Sequence, residues 1–284
     1  MRGLESMKDR FGIGWRPELA AGIFAHLDRI DLVEVIAEDY YTASPDELRS
    51  LETLARLVPV TLHGTSMGLA SAVPVETSRL DAMARLAGRV KPESWSEHLA
   101  FVRGGGIEIG HLAAPPRTSA TVEGAAANLR RASAVVGSLP LVENIATLID
   151  PPASSLDEAA WIGQILRASG CPLLLDLHNV YANGRNHGQQ PSDLARRLAG
   201  NRIGLIHISG GHWIPAPGGS PRLLDDHRHD VPDEVFALLE DSAALSPSPM
   251  TVILERDGNY PSMSRLLAQL DRARQAVARG RSRP

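Results

Sequence analysis

The 284-residue sequence has a single cysteine, no long apolar run and no excess of positive charge, and each absence excludes a class of protein. The one cysteine, Cys171, cannot form an internal disulfide. No apolar stretch is long enough to cross a bilayer, and the first residues, MRGLESMKDR, lack the apolar core of a signal peptide. We therefore expect a cytoplasmic protein that does not associate with a membrane.

The net charge bears on the class of binding partner, and the placement of glycines bears on the fold. A formal net charge of -4 at pH 7 offers no positive field, so no nucleic-acid partner is expected. The phosphate-binding fingerprint GxGxxG is absent after the first predicted strand, which makes an open doubly wound sheet the second choice of fold. Hydrophobic residues at 43% and charged residues at 22% are instead ordinary for a globular enzyme.

The stretch Pro172–Asn183, PLLLDLHNVYAN, is the most informative feature that is present. It begins as an apolar run of buried-strand length and turns polar at Asp176, His178 and Asn179. In a parallel β/α barrel the strand bodies fill the core, and the functional side chains collect where the strands end. If this chain is such a barrel, its other strands should end in the same way.

Eight apolar runs of strand length recur along the chain, and a predicted helix follows each of them. They occupy residues 11–15, 32–36, 59–62, 94–99, 139–142, 172–175, 203–206 and 251–254. No linker or shift in composition divides them, so we predict one α/β domain, a single (β/α)8 TIM barrel. Its core is expected over about residues 11–278, and residues 279–284 are expected to form a frayed tail.

Local signals predict individual elements between these strands. Ser44 predicts the start of a helix that ends near residue 57, and Ser155 with Glu158 three residues later predicts a capping box. The Gly- and Pro-rich segment Arg103–Pro116 is predicted to be a loop, as is the long segment that follows the seventh strand.

Six successive predicted strands end in a side chain of the metal-binding type. These are His63, His98, Glu143, Asp176, His207 and Glu255. In a barrel the strand ends surround one mouth, so residues far apart in sequence point into one volume. Asp225 and His227 follow the seventh strand at i and i+2, which places both on one side of an extended segment. Asn179 lies three residues past Asp176.

Such a group of imidazoles and carboxylates predicts metal ions, because buried unpaired carboxylates are costly and packing them together raises the cost. The donors are nitrogen and oxygen with no thiolate, which suits iron, manganese or zinc. Nine ligands exceed the needs of one ion, so two or three ions that share a carboxylate are predicted. Glu34, Glu38 and Glu97 are left open between supporting a ligand and forming a salt bridge, and Cys171 is predicted to be packed in the core.

The order of these side chains resembles the trinuclear site of the xylose-isomerase-like barrels, of which endonuclease IV, a zinc enzyme of DNA repair, is the best-known holder. The motifs SEHLAF, LVENIA, LLLDLHNVYAN, HISGGH, DDHRHDVPDEV and VILERDGNYP resemble the DUF692 family, also called UPF0276, more closely. That family is described as multinuclear non-haem iron-dependent oxidative enzymes. The resemblance covers about residues 12–270 and implies a xylose-isomerase-like TIM barrel that holds two or three iron ions of mixed Fe(II)/Fe(III) valence.

The resemblance also implies which residues hold each ion. His63, His98 and Glu143 would hold the first, Glu143 with Asp176, His207 and Glu255 the second, and Asn179, Asp225 and His227 the third. Because Asn179 stands where endonuclease IV has a histidine, and an amide oxygen is a weaker ligand, the third ion is expected to bind loosely. His178 replaces an asparagine of the family pattern, so it could face the substrate, support a ligand or compete with Asn179. The candidates for a supporting or substrate-contacting role are His178, Asn144, His212, His229 and Arg256.

Family members modify a ribosomally made precursor peptide, often at cysteine, with mixed-valent iron and O2. The resemblance therefore implies an O2-dependent oxidoreductase that acts on a precursor peptide presented by a separate partner protein. Two alternatives stay open. One is a metal-dependent hydrolase or isomerase, such as a zinc phosphodiesterase, with zinc or manganese in place of iron. The other is a non-catalytic metal-dependent binding module.

Overall fold

Eight parallel strands close into a barrel in the computed structural model, which describes residues 8–216, 219–246 and 248–283. The barrel strands are β1 (Arg10–Gly14), β2 (Val33–Ile36), β3 (Val60–Gly64), β4 (Ser94–His98), β7 (Leu141–Glu143), β8 (Leu173–Asp176), β9 (Ile203–Ile208) and β12 (Thr251–Leu254). Two antiparallel hairpins lie outside the barrel, β5 (Phe101–Gly104) with β6 (Ile107–Ala113) and β10 (Gly211–Ile214) with β11 (Arg222–Asp225). The predicted TIM barrel is confirmed, with β1 paired to both β2 and β12 to close the sheet.

Helices connect the barrel strands and cover them from outside. They are α1 (Ala20–Phe24), α2 (Pro45–Leu57), α3 (Thr77–Val90), α4 (Ser119–Val136), α5 (Glu158–Ser169), α6 (Leu177–His187), α7 (Pro191–Ala199), α8 (Asp233–Leu245) and α9 (Met263–Arg281). Among the described residues no helix combines the length and the apolar content needed to span a bilayer.

The helix starts follow from their capping side chains. Ser44 begins α2 with the predicted geometry, because its hydroxyl accepts from the Glu47 N–H and its own N–H donates to the Glu47 carboxylate at 2.7 Å. The capping box predicted at Ser155 is wrong. Asp157 is the cap of α5 and accepts from the Ala160 N–H at 2.9 Å, since a carboxylate there also complements the positive end of the helix dipole.

Two segments predicted to be loops contain hairpins instead. The first, β5–β6, exposes most of β6, so no alternation of apolar and polar residues marks it in the sequence. Gly105 and Gly106, with φ of 59° and 80°, form its turn. The second hairpin, β10–β11, follows the seventh barrel strand and places Gly211 opposite Asp225.

The barrel interior contains a small apolar cluster that is separate from the main core between strands and helices. We call it the apolar plug; its members are Leu32, Leu141, Leu174, Leu205 and Ile253. A Cβ atom on Gly12 would lie 2.7 Å from Leu32 Cδ2, so β1 approaches the plug through a glycine. Side chains two residues further along a strand share its face, and in these strands those next inward residues are acids or a histidine.

The C-terminal helix is longer than predicted. α9 continues to Arg281, so residues 279–281 are helical rather than frayed. The Arg281 guanidinium lies 2.9 Å from the Asp9 carboxylate, and this ion pair ties the last turn to the start of the barrel. Pro284, the last residue of the predicted tail, lies outside the described residues.

Candidate metal centre

The barrel brings six predicted ligands to one mouth. His63 lies in β3 and His207 in β9, while His98, Glu143 and Asp176 end their strands and Glu255 directly follows β12. We call these six residues the central cluster; each is at most 8% exposed. The His63 and His207 rings are 5.3 Å apart, and His207 Nδ1 lies 3.0 Å from Glu255 Oε2. The predicted convergence of the strand ends is therefore confirmed.

Two groups within this cluster have the spacing of metal sites, and they share one residue. The first is His63, His98 and Glu143, and the second is Glu143, Asp176, His207 and Glu255. In each group one ligand atom per residue lies within 4.8 Å of the others. These are the same two sets that the family resemblance implies for the first and second ions.

Glu143 directs one carboxylate oxygen toward each group. Its Oε2 lies 3.4 Å from Nε2 of both His63 and His98. Its Oε1 lies 3.5 Å from His207 Nδ1. A single carboxylate is thus placed to bridge two ions.

Asn179, Asp225 and His227 lie beside the second group. His227 Nε2 is 2.9 Å from Asp225 Oδ1, and His227 Nδ1 is 3.6 Å from Glu255 Oε2. The segment is not extended as predicted, because His227 has φ of 53°. The turn at His227, rather than the i, i+2 alternation, brings its imidazole back to Asp225.

The imidazoles of His63 and His98 are oriented by two groups that the sequence analysis does not identify. His63 Nδ1 lies 2.8 Å from the Ser96 hydroxyl, and His98 Nδ1 donates to the Gly64 carbonyl at 3.1 Å. In both rings Nε2 is therefore left for the shared carboxylate and a cation, which is the usual arrangement of metal-ligating histidines. Ser96 and His98 alternate on one strand, and this spacing is the one signal that could have identified the serine.

Asn144 fixes the second group through backbone contacts. Its amide donates to the Asp176 carbonyl at 3.0 Å and its oxygen accepts from the Asp176 N–H at 2.9 Å. Asn179 donates to the Asn144 carbonyl at 3.0 Å. Asp176 also caps α6, since its carboxylate accepts from the Asn179 N–H at 2.6 Å. The strand end and helix start are thus one hydrogen-bonded unit, which supports a ligand-positioning role for Asn144.

His178 supports a neighbouring acid and does not face the open mouth. It is fully buried, and its Nδ1 lies 2.8 Å from Asp225 Oδ1. A Cβ atom on Gly211 would lie 2.7 Å from His178 Cε1, so the imidazole fits because residue 211 is glycine. Of the three roles left open for His178, the geometry favours holding Asp225.

The three glutamates left open by the sequence have different partners. Glu34 is buried, and its Oε1 lies 2.9 Å from His207 Nε2. Glu97 accepts from the Met67 N–H at 3.1 Å, and Glu38 accepts from the backbone of the loop after β3. Glu34 therefore belongs beside the central cluster, whereas the other two organise a loop.

The remaining candidates lie away from the central cluster. Arg256 donates to Asp230 at 2.9 Å and so anchors the loop that follows β11. His212 and His229 both contact Asp226, a residue that the sequence reasoning did not single out. Cys171 is buried in the main core, as predicted.

Burial and mutual charge set the protonation of the cluster. Burial would raise the pKa of Glu143, but the imidazoles of His98, His207 and His63 hold the pKa of that carboxyl below its usual value. Burial and three neighbouring carboxylates raise the pKa of Asp176 well above its usual range. Burial would lower the pKa of His98, yet the Glu143 carboxylate raises it to about 9. Without a cation, the raised pKa values of Asp176 and His98 favour their protonated forms, which balances part of the negative charge of the cluster.

Several buried atoms of the central cluster and of the neighbouring Asn179 lack a hydrogen-bond partner, and this tests whether metal ions fit. They are Glu143 Oε2, Asp176 Oδ2, Asn179 Oδ1, Glu255 Oε2 and both ring nitrogens of His207. His207 Nδ1 is close to Glu255 yet not aligned to donate to it, as expected of groups that face a common ion. Buried polar atoms are rarely left unpaired, and nitrogen and oxygen donors suit iron, manganese or zinc. The residues present fit metal ions.

Comparison with known sequences agrees with this geometry. The sequence profile of the family described as "RiPP precursor modification enzyme MbnB/TglH/ChrH" matches residues 10–278. A UPF0276 protein of Caulobacter vibrioides is 32% identical over 274 residues, which covers 96% of each chain. A UPF0276 protein of Streptomyces avermitilis is 34% identical over 280 residues, but this chain spans only 56% of that protein's length.

Comparison with solved structures concerns the fold alone. A xylose isomerase domain-containing protein of Salmonella typhimurium superimposes with a TM-score of 0.63 at 17% identity, over 97% of this chain and 100% of the other. An L-ribulose 3-epimerase gives a TM-score of 0.60 at 16% identity over the same shares. The fold is therefore a xylose-isomerase-like TIM barrel, and at these identities the likeness carries no information about substrate.

Proposed function

Because this chain belongs to the RiPP precursor modification enzyme family MbnB/TglH/ChrH, we propose that it oxidises a residue of a ribosomally made precursor peptide, with O2 as the oxidant. This membership confirms the resemblance to the UPF0276 proteins. The residue proposed is cysteine, and the cofactor proposed is a group of two or three iron ions of mixed Fe(II)/Fe(III) valence. We place the reaction in the cytoplasm, where ribosomes release the precursor, and expect a separate protein to present the peptide.

The shared carboxylate of Glu143 is the observation that carries this proposal. One of its oxygens faces His63 and His98, and the other faces His207. Two cations a few ångströms apart repel each other, and a carboxylate between them offsets this repulsion. Iron bound at these residues would supply Lewis acidity and one-electron redox chemistry for the oxidation of the peptide.

The exposure of the side chains indicates where the peptide approaches. His63, Glu143 and His207 are at most 2% exposed, whereas the side chains of His227 and Asp225 are 15% and 19% exposed. The apolar plug closes the barrel beneath the cluster. The peptide therefore enters past Asp225 and His227, and water is excluded from the opposite side.

Asp176 links metal loading to protonation. Its raised pKa favours the protonated carboxyl when no cation is bound. To serve as a metal ligand this oxygen would have to release its proton, so metal loading should weaken as the pH falls. The backbone contacts of Asn144 keep the carboxylate in place throughout.

The test is anaerobic reconstitution with Fe(II), followed by exposure to O2 with cysteine-containing peptides encoded beside the gene. We expect more than one iron per chain, oxygen uptake that depends on the peptide, and a mass change confined to one peptide residue. The experiment should be repeated with each protein encoded nearby, since one of them is expected to present the peptide.

Zinc-loaded protein is the matched control. If zinc alone restores an activity and iron does not, the metal-dependent hydrolase or isomerase replaces this proposal. If iron-loaded protein binds the peptide with no oxygen uptake and no product, the protein is a binding module.

A further inference from the structure

A second group of metal-binding side chains lies at the rim of the mouth. His212 in β10 and Asp226 and His229 after β11 each offer one ligand atom within 4.8 Å of the others. We call these three residues the rim cluster. His212 Nδ1 lies 2.8 Å from Asp226 Oδ2, and His229 Nδ1 lies 3.0 Å from Asp226 Oδ1. The two rings are 5.1 Å apart, so the carboxylate sits between two imidazoles.

The rim cluster is distinct from the pair formed by Asp225 and His227, although the two groups alternate in sequence. Asp225 and His227 face each other, while Asp226 between them faces His212 and His229 instead. The rim side chains are more open, with 42% of His212, 14% of Asp226 and 44% of His229 exposed. Water therefore has access to any ion held there.

In the part of the chain that the structure describes, the carboxylate of Asp226 pairs with imidazoles and with no lysine or arginine side chain. Its side-chain contacts are to the imidazoles of His212 and His229. The neighbouring Arg228 gives Asp226 only its backbone N–H, at 3.1 Å, and sends its guanidinium to Asn259. A carboxylate between two imidazoles without a lysine or arginine is open to a cation.

We propose that His212, Asp226 and His229 bind a divalent first-row metal ion, such as Zn²⁺ or Fe²⁺, separately from the central cluster. Two imidazoles and one carboxylate are a donor set that both ions accept, with water in the remaining positions. The proposal does not rest on the proposed function, since it uses no residue of the central cluster.

Such an ion would connect two segments at the rim of the barrel mouth. His212 belongs to the hairpin β10–β11, and His229 belongs to the loop that follows it. Asp225 ends this hairpin, and His227 lies in the same loop as His229. A bound ion would therefore tie the hairpin to the loop and restrict the side where the peptide is proposed to enter.

The test compares three forms of the full chain after removal of metals, each titrated with Zn²⁺ alone. The rim variant carries His212→Gln and His229→Gln. The control variant carries His26→Gln and His111→Gln, two histidines outside both clusters. Bound zinc is measured by elemental analysis after desalting, and protection of amides in residues 211–214 and 226–229 is measured by hydrogen exchange. Circular dichroism checks that each form is folded.

We expect the rim variant to bind one Zn²⁺ fewer per chain than the wild type and the control variant. Zinc should slow amide exchange at the rim in the wild type and in the control variant, but not in the rim variant. Equal zinc content in the rim variant and the wild type would overturn the proposal.

A second arm keeps the result clear if the central cluster also takes up zinc. A chain with His63→Gln and Glu143→Gln should still bind one Zn²⁺, and adding Asp226→Asn should remove it. No zinc bound by the first of these chains would overturn the proposal. Repeating the titration with Fe(II) under argon shows which of the two ions binds more tightly.

Discussion

The apolar plug and the central cluster occupy the same strands, the same face and neighbouring positions, yet their chemistry is opposite. Four barrel strands contribute both: Leu141 is followed by Glu143, Leu174 by Asp176, Leu205 by His207 and Ile253 by Glu255. Leu32 and Glu34 repeat this order next to the cluster. A spacing of two residues, about 7 Å along a strand, separates an aliphatic layer from a layer of acids and imidazoles.

The difference shows why the central cluster depends on a ligand and the plug does not. Aliphatic side chains gain free energy on burial without a partner. Carboxylates placed directly above an apolar layer lose their hydration, and their charge must be balanced by protons or cations. Because the plug excludes water from beneath these acids, a bound metal ion stabilises them more than it would stabilise hydrated carboxylates.

The largest expected effect comes from removing the shared charge of the central cluster. Glu143→Gln keeps the size of the side chain but removes the carboxylate that faces both groups. We expect loss of more than one metal ion and a fall in product formation beyond the ~100-fold that the loss of an outer-shell partner can cause. Elemental analysis and mass spectrometry of the peptide measure the two effects.

Glu158→Gln is the matched control for this variant, because Glu158 is also a buried acid but lies outside the barrel mouth. It should keep full metal content and turnover. If Glu143→Gln does so as well, Glu143 is not a bridging ligand.

Truncation of the plug should lower the stability of the protein and leave its metal content unchanged. Leu174→Ala leaves a cavity beneath Asp176, which should lower the free energy of unfolding by about 2–5 kcal/mol while the metal content after loading stays unchanged. Urea unfolding of the metal-free protein measures the loss of stability. Leu57→Ala, at a residue that is 59% exposed, should change stability by less than ~0.5 kcal/mol. A loss of metal equal to that of Glu143→Gln would show that the two layers are not separable.

Glu158 tests how a buried acid behaves when no metal site surrounds it. Asn183 donates to its carboxylate at 3.0 Å, and an Arg117 nitrogen lies 3.8 Å from it. Burial outweighs these contacts and raises its pKa from 4.5 to about 7. Its folded pKa lies above the unfolded one, so its contribution to stability is present below pH 4.5 and is lost as the pH rises to 7.

Glu158→Gln mimics the protonated acid and should not show this loss. Relative to their difference at pH 4, the variant should gain up to roughly 3 kcal/mol over the wild type by pH 8. Chemical denaturation across this range measures it. A difference in stability that stays constant with pH would mean that Glu158 ionises normally.

The smallest expected effect is at the edge of the central cluster. Asn179→Ala removes an amide oxygen that has no hydrogen-bond partner and an amide N–H that donates to the Asn144 carbonyl. It should affect mainly the proposed third ion. Iron content should fall by no more than one ion per chain, with partial turnover retained. Asn201→Ala, outside the mouth, is the control. Loss of all iron on Asn179→Ala would place the asparagine among the essential ligands.

Much of the site follows from strand alternation, and the exceptions are informative. An apolar run that ends in His63, Glu143 or Asp176 identifies a barrel strand and its inward end at once. The hairpin β5–β6 has no such signal in the sequence, because its strands bury no regular face. Asp226 lies between Asp225 and His227, and only the turn at His227 shows that Asp226 faces away from them.

The sequence by itself determined the order of the strands and the metal-binding type of the side chains at their ends. These depend on residues one or two positions apart, whose relative directions are set by local backbone geometry. Tertiary structure decided which oxygen of Glu143 faces which histidines, which ring nitrogen of His98 is free, and that His178 holds Asp225. These contacts join residues 34 to 80 positions apart, and their geometry exists only once the register of eight strands has closed the barrel.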